Sequence, residues 1–376
     1  MKSKKIALTG YYGFSNYGDD LFSLACSWGS REYWSAHDVK IVGPSIPGVK
    51  ARYSVPSFFP RKWYAAPGAM GKFSRLLFLL SAIIQNDLLI LAGGSTLSSL
   101  GSKYIRKIQY IATKAKMIQI AGIGVSVGPF LSKNDQHFFL KFLENFSFLS
   151  VRDSASYKII QGLNLKQKSI LSKDLAGIVP LALAKQKYVK KTNLLGIALC
   201  DYKYQNSITM RISAFPKKAI FRGIRDFAQN NKISVRIFSL NSHPISGDDT
   251  LAADLYKYLS KVDIEIEIVS FSTERVDKIW QKIAECSAMF SIRLHGAITA
   301  YLNDVPFSLV EYHKKCSDFL IDIGQPASLR LSSNIPDSKI VVEVLEKLFN
   351  MPPKSRLDTQ QYMEEAKLNF TAAPWA

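Results

Sequence analysis

The chain has few cysteines, and none of them are neighbours. Cys26, Cys200, Cys286 and Cys316 are its four, with no CxxC among them. That usage excludes a disulfide framework and fits a reduced, cytosolic protein. Long hydrophobic runs are missing too. The longest, LLFLLSAII from Leu76 to Ile84, is about half of a membrane span. The N-terminus MKSKKIALTGYYG is basic, but its apolar run is too short for a secretory signal. The expected location is cytoplasmic. No Lys/Arg tail and no RNP, zinc-finger or basic-zipper pattern appears, so nucleic acid is not an expected partner. GxGxxG and GxxxxGK[ST] are also absent, which removes the common dinucleotide and P-loop signatures.

Acid is in short supply. Against 49 Lys and Arg stand 30 Asp and Glu, a net charge of +19 over 376 residues. Such an excess calls for an anionic partner, either a phosphorylated or acidic small molecule or an anionic membrane face. The excess is spread in small groups such as Lys114/Lys116, Lys217/Lys218/Arg222/Arg225 and Lys314/Lys315. Any one of these is equally a plain solvated surface.

What is present is a regular alternation of short apolar runs and amphipathic segments. Strands are predicted at KIALTG, VKIVG, LLILAGG, MIQIAGIGV and FLSVRD, then at LLGIALC, SVRIFSL, IEIEIVSF, AMFSIR and PFSLVEY. Helix-like stretches such as ERVDKIWQKIAEC separate them. This βαβα order implies α/β architecture with parallel sheets covered on both faces. The Lys-rich stretch Leu181 to Asn193 reads as a linker. Two domains are therefore expected, residues 1–185 and 190–350, followed by a polar surface tail over 351–376.

The unusual residues fall just past the carboxyl ends of predicted strands, where open parallel sheets bind ligands. Gly13, Asn16, Gly18 and Asp19 lie in GYYGFSNYGDD. The glycines could simply permit a tight bend, and Asp19 and Asp20 could cap the next helix. Gly93, Gly94 and Ser95 offer amides and a hydroxyl to a phosphate or a sugar, or form a plain turn. Arg152-Asp153 reads either as a ligand-facing pair or as a helix start, with Asp as cap and Arg as its ion-pair partner. Arg293 and His295 lie in SIRLHGAITA. Taken as extended chain, residues two apart face one side, so both would point at a small dianion and supply a proton. His313 and Cys316 make one HxxC pair with no second pair, so no metal site is expected. Asp248 and Asp249 read as loop residues.

GYYGFSNYGDD, LLILAGGSTLSS, IAGIGVSVGP, SVRDSASYKIIQGL, the lone Asp174 in SKDLAG, and SIRLHGAITAYLNDVPFSLVEYHKKCSDFLIDIG together resemble, in that order, the polysaccharide pyruvyl transferase family. The resemblance implies two Rossmann-like domains with a cleft between them, similar to GT-B glycosyltransferases. It implies transfer of the enolpyruvyl part of phosphoenolpyruvate to two sugar hydroxyls as a cyclic ketal, commonly on a lipid-linked acceptor such as an undecaprenyl-diphosphate sugar. It assigns His295 and Arg293 to the catalytic and donor-binding pair, and Asn16, Gly18 and Asp19 to the N-terminal loop, with Asp19 a candidate base. Arg152 and Asp153 fall on an RD motif, with Arg152 on the donor side. Gly13, Gly93, Gly94 and Ser95 are expected to face the acceptor or a phosphate. No cofactor is implied beyond phosphoenolpyruvate itself as substrate.

The chemistry agrees with the residue types. Arg grips a carboxylate or phosphate bidentately, and a histidinium beside phosphate keeps its proton. One departure stands out. Where the family strand opening the second domain runs into an Arg, this chain has Cys200, Asp201 and Lys203. Lys203, Arg211 or Arg222 would have to substitute. The alternatives are a GT-B glycosyltransferase using a nucleotide sugar, or a non-catalytic protein that binds a glycan or lipid carrier. RKWYAAPGAMGKFSRLLFLLSAII, with its basic residues, Trp63 and Tyr64, reads either as an interfacial helix at the inner face of the cell membrane or as an ordinary core helix.

Overall fold

The computed structural model describes all residues except 1–2, 36, 100–102, 164, 166–168, 185–187, 190, 206–211 and 244–246, and the side chains of 103, 203–205 and 212–214 are also outside it. Two compact units emerge: residues 1–14, 19–184 and 360–376 form one, and residues 15–18 and 185–359 form the other.

The first unit is built on β1 (Lys5–Thr9), β2 (Asp38–Val42), β3 (Leu88–Ala92), β4 (Gln119–Val125), β5 (Phe146–Val151) and β6 (Ser169–Leu171). All six are parallel, in the order β2-β1-β3-β4-β5-β6. The central strand β3 is buried at every residue, as its unbroken LLILA demands of a strand covered on both faces. The helices Ala69–Gln85 and Lys103–Lys114 share one apolar cluster through Leu79, Ile83, Ala112 and Ile108. A second cluster joins Phe139, Phe142 and Ile160 to Ile120, Leu149 and Val151 of β4 and β5.

The second unit carries β7 (Leu194–Ala198), β8 (Lys203–Gln205), β9 (Ile212–Ala214), β10 (Ser234–Ser239), β11 (Ile266–Ser270), β12 (Ala288–Ser291), β13 (Phe307–Glu311) and β14 (Arg330–Ser332). Six of these form a parallel sheet in the order β11-β10-β7-β12-β13-β14, and β8 and β9 make a small antiparallel pair. Every strand expected from the sequence is present. The additional ones, β6, β8, β9 and β14, have three residues each, too few to show a period.

Each sheet reverses direction once. Chain growth runs outward from β1 to β2 and then resumes at β3 on the other side of β1. In the second unit it runs from β7 through β10 to β11, then resumes at β12 beside β7. The carboxyl ends at β1/β3 and at β7/β12 are thus topological switch points, where loops diverge and leave room for a ligand.

The polar tail expected over 351–376 needs correction. Thr359–Thr371 is a helix, and residues 360–376 belong to the first unit. Phe370 and Trp375 are buried against Trp34, with ring centroids 5.2 and 5.7 Å from it. Asn369, fully buried, accepts from Ser150 and Ser172 and donates to the Lys173 carbonyl at 2.7–2.9 Å. A polar composition concealed a helix that buries Tyr362, Met363, Ala366 and Phe370 on one face.

Candidate active site

In the second unit, β12 ends at Ser291 and the helix Leu294–Leu302 begins three residues later. Arg293 is therefore the residue preceding a helix, and His295 lies in its first turn. The extended-chain argument that aligned the two is corrected by this: a strand-to-helix turn, not period two, sets their directions. The Ser291 hydroxyl fixes the turn by donating to the Arg293 carbonyl at 2.6 Å. The β12 exit is tied to β7 by Ile292 N–H donating to the Ala198 carbonyl at 2.7 Å. Arg293 thus stands at the switch point.

Its guanidinium does not face a ligand alone. Nε and Nη2 donate to the two carboxylate oxygens of Asp248 at 2.9 and 2.5 Å. Asp248 is 2% exposed at its side chain and Arg293 is 22% exposed. The expectation that Arg293 points at a small dianion is corrected to this extent: a buried protein carboxylate already holds one edge of the guanidinium. A buried cation is costly without a partner, and the partner is an aspartate that had been read as a loop residue. Burial alone would lower the arginine, but the neighbouring thiol, the carboxylate and Tyr312 outweigh it and keep it firmly cationic. Burial raises the Asp248 carboxyl, with the guanidinium opposing the rise. Cys200, at the end of β7, lies close enough to feel Arg293, although burial pushes its thiol up to about 11. Tyr312 stacks on Tyr202 with ring centroids 5.1 Å apart, and the Tyr202 hydroxyl donates to the Ser333 carbonyl at 2.7 Å.

The N-terminal loop enters the same place. Residues 15–18 group with the second unit. Asn16 bridges Asn241, Tyr17 N–H donates to the Leu240 carbonyl at 2.8 Å, and Ser242 N–H donates to the Ser15 carbonyl at 2.9 Å. The Tyr17 ring is fully buried beside Phe271, and its hydroxyl lies 3.0 Å from that of Thr299. Asn16 Oδ1 accepts from Gly18 N–H at 3.2 Å, so the asparagine shapes the turn. The imidazole of His295 lies directly over Gly18: a Cβ there would sit 1.9 Å from Nδ1. Glycine is required at that position by close approach. Two motifs from opposite ends of the chain form one piece of structure.

In the first unit several expectations change. Gly13, at φ +82°, donates its N–H to buried Asp20 at 2.6 Å, so that amide is not open to a ligand. Arg61 donates to the other Asp20 oxygen at 3.1 Å, while burial raises the Asp20 carboxyl to about 6. Gly93 likewise donates to the Ile123 carbonyl at 2.9 Å. Gly94, at φ +73°, and Ser95 remain half-buried at the β3 exit, and the Asp19 carboxylate lies 3.7 Å from where a Gly94 Cβ would be. Asp19, Gly94 and Ser95 thus share the β1/β3 switch point.

Arg152 is a brace, which corrects its donor-binding assignment. Its Nε donates to Ser126 at 2.8 Å and its Nη1 to Asp174 at 2.7 Å. Asp153 caps the next helix through Ser156 N–H at 2.7 Å and accepts from Ser126 at 2.6 Å. Asp174 also caps the short turn Leu175–Ile178. The ion-pair partner foreseen for Arg152 was Asp153; the carboxylate it reaches is Asp174.

Lys203 opens β8, but its side chain lies outside the described residues, as does all of Arg211. Arg222 is largely exposed and pairs with Asp226 at 3.4 Å. His313 caps the helix Lys314–Asp322 and Cys316 is buried, so the HxxC pair has a structural account. Among the described residues no cluster of three His, Cys, Asp or Glu is arranged to hold a metal ion, and no helix is long and apolar enough to cross a membrane.

Comparison with solved structures shows that this architecture is the GT-B fold. UDP-GlcNAc 2-epimerase from Neisseria meningitidis, bound to UDP-GlcNAc, superposes with a TM-score of 0.55 at 12% identity, covering 96% of this chain and 93% of that one. The 2-epimerase from Methanocaldococcus jannaschii gives 0.59 at 10% identity, covering 98% and 99%. Sucrose-phosphate synthase from Thermosynechococcus elongatus gives 0.51 at 10%, covering 98% and 95%. At such identities the likeness shows the fold alone. No curated protein matches. The family model described as polysaccharide pyruvyl transferase matches residues 16–314, a span that begins in the Asn16 loop and includes Arg293 and His295, and the chain belongs to that family.

Proposed function

We propose that the protein moves the enolpyruvyl group of phosphoenolpyruvate onto two hydroxyls of one sugar as a cyclic ketal, in the synthesis of a bacterial capsule, exopolysaccharide or cell-wall polymer. The observation that carries this reading is the packing of the Asn16–Gly18 turn beneath His295 at the β7/β12 switch point. It holds the imidazole in place two residues along the chain from a cationic guanidinium, the two group types that protonation of an anionic enol ester needs.

In this mechanism His295 gives a proton to the methylene carbon, which becomes a methyl group and leaves C2 electrophilic. Arg293 is held by Asp248 through Nε and Nη2, so its Nη1 side is the one that meets the carboxylate or phosphate of the donor. The first sugar hydroxyl adds to C2 and its proton passes to the imidazole, which the first transfer has left neutral. Phosphate then leaves with the C2–O bonding pair. The second hydroxyl closes the ketal, and its proton leaves with phosphate. The acceptor sugar is carried on undecaprenyl diphosphate, which puts the work on the cytoplasmic side of the cell membrane.

The test is incubation with phosphoenolpyruvate and a diol-bearing oligosaccharide, reading released phosphate and product mass. Equimolar phosphate and ketal are expected with the wild type and neither with His295→Gln. A rise in Tm with a UDP-sugar but not with phosphoenolpyruvate would replace this reading by a nucleotide-sugar glycosyltransferase. A response to glycan alone, with no turnover of any donor, would make the protein a binder. Arginine can neutralise the donor without a metal, so turnover is expected to survive chelation. Loss in EDTA that a divalent ion restores would refute that part.

A further inference from the structure

The helix Ala69–Gln85 is apolar on two faces, and the first unit uses only one of them. Leu79, Ala82 and Ile83 are buried. Met70, Phe73, Leu77, Leu80 and Ile84 are 60, 67, 52, 39 and 74% exposed. Their alternating spacing of three and four, at about 100° per residue, gathers them into a stripe about 80° wide. Single exposed apolar residues need no explanation, but a contiguous stripe marks a contact surface. The short helix Arg61–Ala65 extends the patch. Phe59 packs on both Phe78 and Trp63, with centroids 5.3 and 5.9 Å away, and Trp63 itself is 45% exposed.

Charge says what covers this face. Between Val39 and Asn86 the chain has seven Lys or Arg and no Asp or Glu. Lys62 and Lys72 are exposed there. The adjoining helix Lys103–Lys114 exposes Tyr104, Lys107, Ile111 and Lys114 at the same spacing of three and four. A second copy of the chain would bring like charges together, and a nucleic acid has no use for five large apolar side chains. An anionic lipid surface accepts both features: aliphatic side chains enter the acyl boundary, an aromatic ring sits at the headgroups, and lysines reach out to them.

We propose that this face docks on an anionic bilayer, with Ala69–Gln85 lying in the plane of the interface. That docking delivers the enzyme to its acceptor rests on the lipid-linked substrate proposed above; that the face binds lipid does not.

Co-sedimentation of the full chain with vesicles tests it directly. Binding is expected to phosphatidylglycerol-containing vesicles at low ionic strength and to weaken steeply with salt, with little binding to pure phosphatidylcholine. Lys62→Gln and Lys72→Gln should each lower affinity about fivefold. Phe73→Ser with Leu77→Ser should lower it at least tenfold without moving Tm, because both side chains are exposed. No binding to anionic vesicles at low salt would overturn the proposal, as would binding indifferent to all four substitutions. A wild-type dimer that the serine pair splits, with no lipid binding, would assign the face to self-association. Turnover on a water-soluble acceptor should be unchanged in these variants, so a failure of the pyruvyl-transfer reading shows separately as no turnover in any of them.

Discussion

Arg152 and Arg293 carry the same local signature: an apolar strand, an arginine at its carboxyl end, then a helix. Both had been read as ligand-facing. Arg152 follows β5, two strands out from the β1/β3 switch point. There neighbouring loops close over the strand end, and its side chain is 7% exposed in an ion pair with Asp174. Arg293 follows β12, which lines the β7/β12 switch point. It too has a carboxylate partner, but it keeps 22% exposure and lies two residues from His295. An arginine after a strand is thus a brace or a candidate ligand group according to the strand's place in the sheet.

The largest expected effect breaks the brace. Arg152→Ala removes the guanidinium from the buried Asp174 carboxylate, so stability should fall by about 3–5 kcal/mol, read by denaturant unfolding of that unit. Arg152→Met with Asp174→Leu should recover most of the loss. If Arg152→Ala instead abolishes donor binding at unchanged Tm, the two arginines are alike after all.

A third pair extends the comparison through pH. Asp20 is fully buried beside Arg61, and burial lifts its carboxyl to about 6. The folded state therefore binds a proton that the unfolded state, with an ordinary carboxylate, has released. Stability from this group is present at low pH and is lost as pH rises through about 6. The contribution is at most roughly 3 kcal/mol between pH 4 and 6. Asp20→Asn should flatten that part of a stability–pH profile, and an unchanged profile would assign it elsewhere.

At the β7/β12 switch point, His295→Gln should lower turnover on the order of a hundredfold while Tm stays put. Unfolding, or full activity, would make the imidazole structural. Gly18→Ala probes the same contact from beneath. Its methyl would meet Nδ1 at 1.9 Å, so a cost of about 1–3 kcal/mol should appear together with a raised KM for the donor, since the ring must move. Smallest of all is Arg222→Ala. Its exposed pair with Asp226 is worth less than about 1 kcal/mol, and a large loss of donor affinity would restore Arg222 as the substitute for the family's missing arginine.

The sequence by itself determined the α/β class, the longer strands and the loops that hold the unusual residues. Those follow from local signals: an unbroken LLILA or LLGIA requires a strand buried on both faces, and glycine, aspartate or arginine just past it marks the exit. Three-residue strands such as β6 and β14, and the inward face of the C-terminal helix, lie below what a period can show. Strand order, partner choice and docking of the 15–18 loop were decided only in the tertiary structure. Asp174 lies 22 residues from Arg152 and Asp248 lies 45 from Arg293, distances at which no spacing rule selects one carboxylate over another. Gly18 needs its bare Cα because His295 arrives from another part of the chain. Periodicity is a property of neighbours along the backbone, whereas a switch point and an ion pair depend on which distant segments the packed core brings side by side.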